Sequence, residues 1–195
     1  MQLLLAIFLA TAPMPALAQA AAIDPALLAR ATAGDAASQV LVGESYARAA
    51  GASQNREEIT ADYMQAADWY RKAAEKSNVS GELHLAALYR DGAGKYFARD
   101  VVQAAQWYRK AAEQGDVTAQ GTMGLLYSFG QGVPQDYVEA YYWLDLAASV
   151  KGPSQEKYAA NRQMVGTHIT ADELDAVQER VAAWIAAHPR PNAAQ

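Results

Sequence analysis

The string WYRKAAE occurs at 69–75 and again at 107–113. A chain that copies itself at a fixed interval must fold each copy alike and bury its apolar side against the next, so the repeat limits the fold more than any other feature. Tryptophan extends the pattern to a third unit, since Trp69, Trp107 and Trp143 recur at intervals of 38 and 36 residues. Each is preceded at i−3 by Ala66, Ala104 or Ala140 and followed at i+4 by Ala73, Ala111 or Ala147. Those positions share one helical face, so each indole is expected in the interior, between two small residues and against a neighbouring helix.

Seven positions before each tryptophan stands Asp62, Asp100 or Asp136, followed three residues later by Gln65, Gln103 or Glu139. This spacing predicts a capping box opening an outer, or B, helix in each unit. Upstream, Asp35, Asn78 and Asp116 are suited to cap an inner, or A, helix. The A helices share Tyr46, Tyr89 and Tyr127, with small Gly43, Ala86 and Gly124 three residues before. Gly92-Ala93-Gly94 and Gly130-Gln131-Gly132 are placed to end the second and third A helices. Each unit is thus an αα-hairpin. Arg71/Glu75 and Arg109/Glu113 are expected as i,i+4 pairs on exposed B faces.

The chemistry-bearing residues are few. There is no cysteine, which removes disulfides, thiol catalysis and thiolate-bound zinc. His84, His168 and His188 fall in no metal-ligand spacing, and no nucleophile elbow or phosphate loop is present. We therefore expect no catalytic residue, no cofactor and no metal. A net charge of −5 and pI near 5.2 argue against nucleic acid as a partner. The first residues carry an apolar run, Leu3 to Ala12, then Ala16-Leu17-Ala18, the layout of a cleaved export signal at 1–18. Ala18-Gln19-Ala20 offers a second cleavage site. After cleavage near Ala18–Gln19 the chain is expected in the periplasm, or secreted, with no membrane insertion.

Residues 111–148, AAEQGDVTAQGTMGLLYSFGQGVPQDYVEAYYWLDLAA, resemble a near-consensus Sel-one-like repeat (SLR), a tetratricopeptide-like family. The A-E-x-G-D-x-x-A-Q opening, the L-Y-x-x-G-x-G-V-x-x-D loop and the A-x-x-W closing all fall in register. The second unit matches with Ser77 replacing glycine and two extra loop residues, and the first is the most divergent. The resemblance implies an all-α fold: a right-handed α-α superhelix of about three hairpins with capping helices, of the exported bacterial type. The expected organisation is an N-terminal cap at 24–33, repeats at 31–74, 75–112 and 113–150, C-terminal capping helices at 151–188 and a flexible tail at 189–195. The cap helices are marked by Asp24-Pro25 and by the box Thr170-Ala171-Asp172-Glu173.

The resemblance also implies a non-catalytic scaffold or adaptor that binds a protein or peptide through a groove lined by the A helices. The residues it would place there are Leu41 and Glu44 in the first unit, His84, Ala87 and Arg90 in the second, and Thr118, Thr122, Leu125 and Ser128 in the third. Alternatives are a β-lactam-binding or -hydrolysing enzyme, as described for cysteine-rich relatives, and a peptidoglycan- or polysaccharide-binding envelope factor. The loop aromatics Tyr96 and Phe97 are expected to tuck under the neighbouring unit.

Overall fold

The computed structural model describes residues 23–93 and 95–189. The expected signal at 1–18, with both cleavage sites, lies outside the described residues, as do Gly94 of the second unit's glycine pair and residues 190–195 of the tail. The described residues form nine α-helices and no strand: α1 (Pro25–Thr32), α2 (Ala36–Ala52), α3 (Arg56–Ala74), α4 (Val79–Asp91), α5 (Val101–Glu113), α6 (Val117–Phe129), α7 (Tyr137–Ala148), α8 (Gln155–Gly166) and α9 (Ala171–Ala187). The A helices α2, α4 and α6 each pack on the B helix that follows, and each B helix packs on the next A helix, giving an all-α repeat solenoid. Both α8 and α9 pack on α7.

Capping chemistry sets these boundaries. Asp35, Asn78 and Asp116 each accept a hydrogen bond from the N–H three residues on, opening α2, α4 and α6. The residue before each cap has positive φ: Gly34 at 98°, Ser77 at 56° and Gly115 at 90°. Ser77 is the non-glycine among them, in a conformation that a side chain disfavours. Gly130 ends α6 in the left-handed region, and a Cβ on Gly132 would stand 2.0 Å from the Val101 carbonyl oxygen, so that loop needs glycine. The reciprocal capping box forms at Thr170 with Glu173. Asp100 and Asp136 supply the acceptor half, while Glu139 pairs with Arg180 at 2.6 Å.

Three expectations need correction. Asp62 is no cap: α3 opens at Arg56, where Asn55 accepts from the N–H groups of Glu57 and Glu58. The first connection lacks paired glycines, so α2 runs to Ala52, the chain restarts at once on Asn55, and Asp62 falls inside the helix. It is 2% exposed, and its Oδ2 has no hydrogen-bond partner. Burial, with the nearby charge of Glu58, holds its carboxyl above the usual range.

The indoles do not share one environment. Trp143 is 5% exposed, but Trp69 and Trp107 are half-buried, with the Lys72 and Lys110 ammonium groups 3.9 and 4.0 Å from their ring centroids. In the first two units the deepest aromatic is the next residue, Tyr70 or Tyr108, at 4% and 3% exposure. Burial pushes the Tyr70 phenol up to about 12. The difference follows the neighbours, since α7 is covered by both α8 and α9. Finally, Arg71 and Arg109 do not bridge to Glu75 and Glu113. They donate to the phenol oxygens of Tyr89 and Tyr127, 18 residues on, tying each B helix to the next A helix.

The cores on either side of the second unit merge at Tyr89 and Trp107, which pack against both. Phe97 tucks in there, its ring 5.4 Å from that of Tyr89.

Candidate functional site

Backbone-fixed positions on α2, α4 and α6 carry the proposed groove residues, and the structure sorts them into two groups. Near the N-terminal end the polar ones are already paired. Glu44 of α2 and His84 of α4 approach to 3.1 Å, and the His84 ring stacks on Tyr70 at 4.9 Å. Arg90 is spent on Asp91 through two hydrogen bonds of 2.7 and 2.8 Å, with its guanidinium 5.7 Å from the Tyr108 ring centroid. The Arg90 pairing holds the Asp91 carboxyl below the usual range. Ala87 is half-buried, and Leu41 stands 47% exposed beside this polar cluster.

Nearer the C-terminal end the positions behave differently. Thr118 is exposed, and the Thr122 hydroxyl turns back to the Thr118 carbonyl at 2.8 Å. Ser128 is buried and its hydroxyl donates to the Gly124 carbonyl at 2.7 Å. Leu125 and Ser128, however, line one cavity of about 200 Å³ between α6 and α8. Phe129 and Tyr137 close one side and Met164 and Val165 the other; Asn161 and His168 complete the wall. His168 stacks on Tyr137 with centroids 4.4 Å apart. No lysine, arginine or carboxylate belongs to this wall. At its rim stand Phe129, 68% exposed, and Met164, 64% exposed, the two most exposed large apolar side chains among the described residues.

The placement of α8 follows from glycine. Gly121 leaves no room for a side chain, because the Tyr158 ring lies 2.1 Å from where its Cβ would be, so an α8 ring rests directly on the α6 backbone at one end. The cavity lies at the other end of α6. Sequence reasoning found Leu125 and Ser128 but missed Phe129, Met164 and their neighbours. A signal existed for Phe129: two residues after the shared tyrosine, the other units carry Arg48 and Asp91. Met164 belongs to a helix outside the repeat pattern, where a resemblance to the repeat assigns no groove position.

A shallower groove between α8 and α9 contains Tyr141, Leu174 and Arg162, the last of which is held by Asp145. Among the described residues no group of three or more histidine and acidic side chains is gathered for a metal ion, and no helix is long and apolar enough to cross a membrane.

Among the solved structures similar to this chain are the following two. One is c5321, described as a protective antigen present in uropathogenic Escherichia coli strains displaying an SLR fold: 32% identity, TM-score 0.66, covering 82% of this chain and 32% of that one. The other is a Sel1 repeat protein from Oxalobacter formigenes: 30% identity, TM-score 0.59, covering 76% of this chain and 58% of that one. This chain therefore spans about a third and somewhat over half of the lengths of these two. A search of curated proteins finds no match. The Sel1 repeat model matches residues 36–78, 79–116 and 118–149, more than half of the sequence and the same three hairpins seen in space, and the chain belongs to the Sel1 repeat family.

Proposed function

We propose that this protein is a non-catalytic, exported scaffold that binds a partner protein segment along the face made by α2, α4 and α6. Sel1 repeats are in general protein-interaction scaffolds, which supplies the class. The observation that supports the face is the open apolar cavity at Leu125, flanked by Phe129 and Met164 in solvent, on the same helix row as exposed Leu41 and Thr118. Apolar surface left in water next to a shaped cavity is what an interface core looks like before its partner arrives. Export rests on the sequence of residues 1–18.

The test is photocrosslinking in intact cells, with the reactive residue placed at Leu41, Thr118 or Leu125, and at Met64 or Val102 on the B helices as comparison. A discrete adduct from the first set and none from the second is the expected result. Equal adducts from both sets overturn the assignment of the face. N-terminal sequencing of the chain recovered from the periplasmic fraction should begin near Gln19; a chain retaining Met1 in the cytoplasm removes the export part.

A further inference from the structure

We propose that the cavity between α6 and α8 receives one neutral, large apolar side chain, of phenylalanine or leucine type, displayed by a peptide, and that the Asn161 amide reads the peptide bond beside it. The proposal rests on the scaffold reading and gives its partner a chemistry. A volume of about 200 Å³ is below the range of small-molecule and cofactor sites and suits a single side chain. The wall has no lysine, arginine or carboxylate, so a charged side chain would lose its hydration there with no full opposite charge to offset the loss. The largely apolar wall therefore selects an uncharged occupant.

The rim adds affinity of the same kind. Phe129 and Met164 are free to close over an inserted side chain, methionine being unbranched and adaptable. The polar groups at the cavity divide into used and unused. The Ser128 hydroxyl is committed to the Gly124 carbonyl, and the Ser128 carbonyl accepts from the Gln135 amide at 2.8 Å. Half-buried Asn161 has no side-chain hydrogen bond among the described residues, although it stands in the wall. A primary amide both donates and accepts, which matches the N–H and C=O of one peptide unit. The positions equivalent to Phe129 in the first two units carry the charged Arg48 and Asp91, so the apolar rim belongs to the third unit. The anchor is thus a property of the C-terminal end.

The probe is N-acetyl-phenylalaninamide, with N-acetyl-lysinamide as comparison, titrated into the mature chain while methyl and amide NMR signals of Leu125, Met164, Val165 and Asn161 are followed. Saturable shifts confined to these residues, with the lysine compound at least about tenfold weaker, are expected. Leu125→Trp should fill the cavity and abolish saturation, and Asn161→Ala should weaken binding several-fold with an unchanged Tm. Shifts that do not saturate, that the lysine compound reproduces, or that persist in Leu125→Trp overturn the proposal. If Leu125→Trp fails to fold, Asn161→Ala and the lysine comparison decide alone. Crosslinks from the A-helix face with no phenylalaninamide binding would sink the anchor and leave the scaffold; binding without crosslinks would do the reverse.

Discussion

The first and third hairpins share one template, yet the same repeat positions hold different physical roles in them. In the third, Asp136 caps α7 through the N–H groups of Val138 and Glu139, after a loop that Gly130 and Gly132 make possible. In the first, the helix begins two turns earlier, and Asp62 is carried into the contact with α2 as a buried carboxyl lacking one partner. The tryptophans diverge likewise: Trp143 is interior, and Trp69 is a half-buried ring under a lysine. A repeat letter fixes where a side chain points. Its environment is set by the loop before it and by whichever helix stacks next.

The largest test of this contrast is truncation of the two indoles. Trp143→Ala should cost about 3–5 kcal/mol in chemical denaturation, as large buried aromatics do. Trp69→Ala should cost about half as much, because solvent already reaches that ring. Equal losses would mean that the terminal helices add no cover to the third unit.

Next come the paired aspartates, where the sign itself should invert. Asp136→Ala removes a cap and should cost about 1 kcal/mol. Asp62→Asn should instead raise stability at neutral pH by about 1 kcal/mol, since an ionised carboxylate no longer has to be buried without a partner. The pH dependence follows from the direction of its shift. A carboxyl held above its usual range in the fold favours the native state while protonated, so its contribution is complete below the unfolded value near 3.9 and is lost as pH rises through the higher folded value. The advantage of Asp62→Asn should therefore fade on acidification, as thermal melts across that window would show; an advantage constant with pH would mean that the Asp62 carboxyl binds its proton equally well in the native and unfolded chains.

These cases mark how much could be read from the letters. Hairpin count, A-helix caps at Asp35, Asn78 and Asp116, and the closing box at Thr170 were legible, because capping and periodicity are local. Asp62 was misread because aligning on tryptophan imposes the consensus loop on a unit that lacks its glycines. Trp69 and Trp107 were misread because burial depends on a third helix, which spacing within one hairpin cannot reveal. At the candidate site, Leu125 and Ser128 were reachable through the repeat resemblance, but the wall from α8 arises only when Tyr158 packs over Gly121.

A smaller effect sharpens the match between the units' openings. Gly34 and Gly115 take positive φ before their caps, and Ser77 is forced to do the same. Ser77→Gly should stabilise the middle unit by about 0.5–1 kcal/mol, read from the denaturation midpoint at unchanged slope. The converse change, Gly115→Ser, should cost a similar amount. If Ser77→Gly destabilises, the serine contributes a contact beyond its backbone strain.

The weakest expected effect separates the two ends of the groove. Glu44 and His84 meet across α2 and α4, with side chains 35% and 39% exposed, so solvent screens their attraction. A double-mutant cycle with Glu44→Gln and His84→Ala should give a coupling of only a few tenths of a kcal/mol. Such a value means that the pair contributes little to the stack while still occupying each other's polar groups, which leaves few of them for a partner at that end. The same two substitutions should then leave A-face crosslinking at Leu125 unaltered. Loss of the Leu125 adduct in either variant would instead place recognition along the whole helix row, and the polar and apolar ends would have to act as one surface.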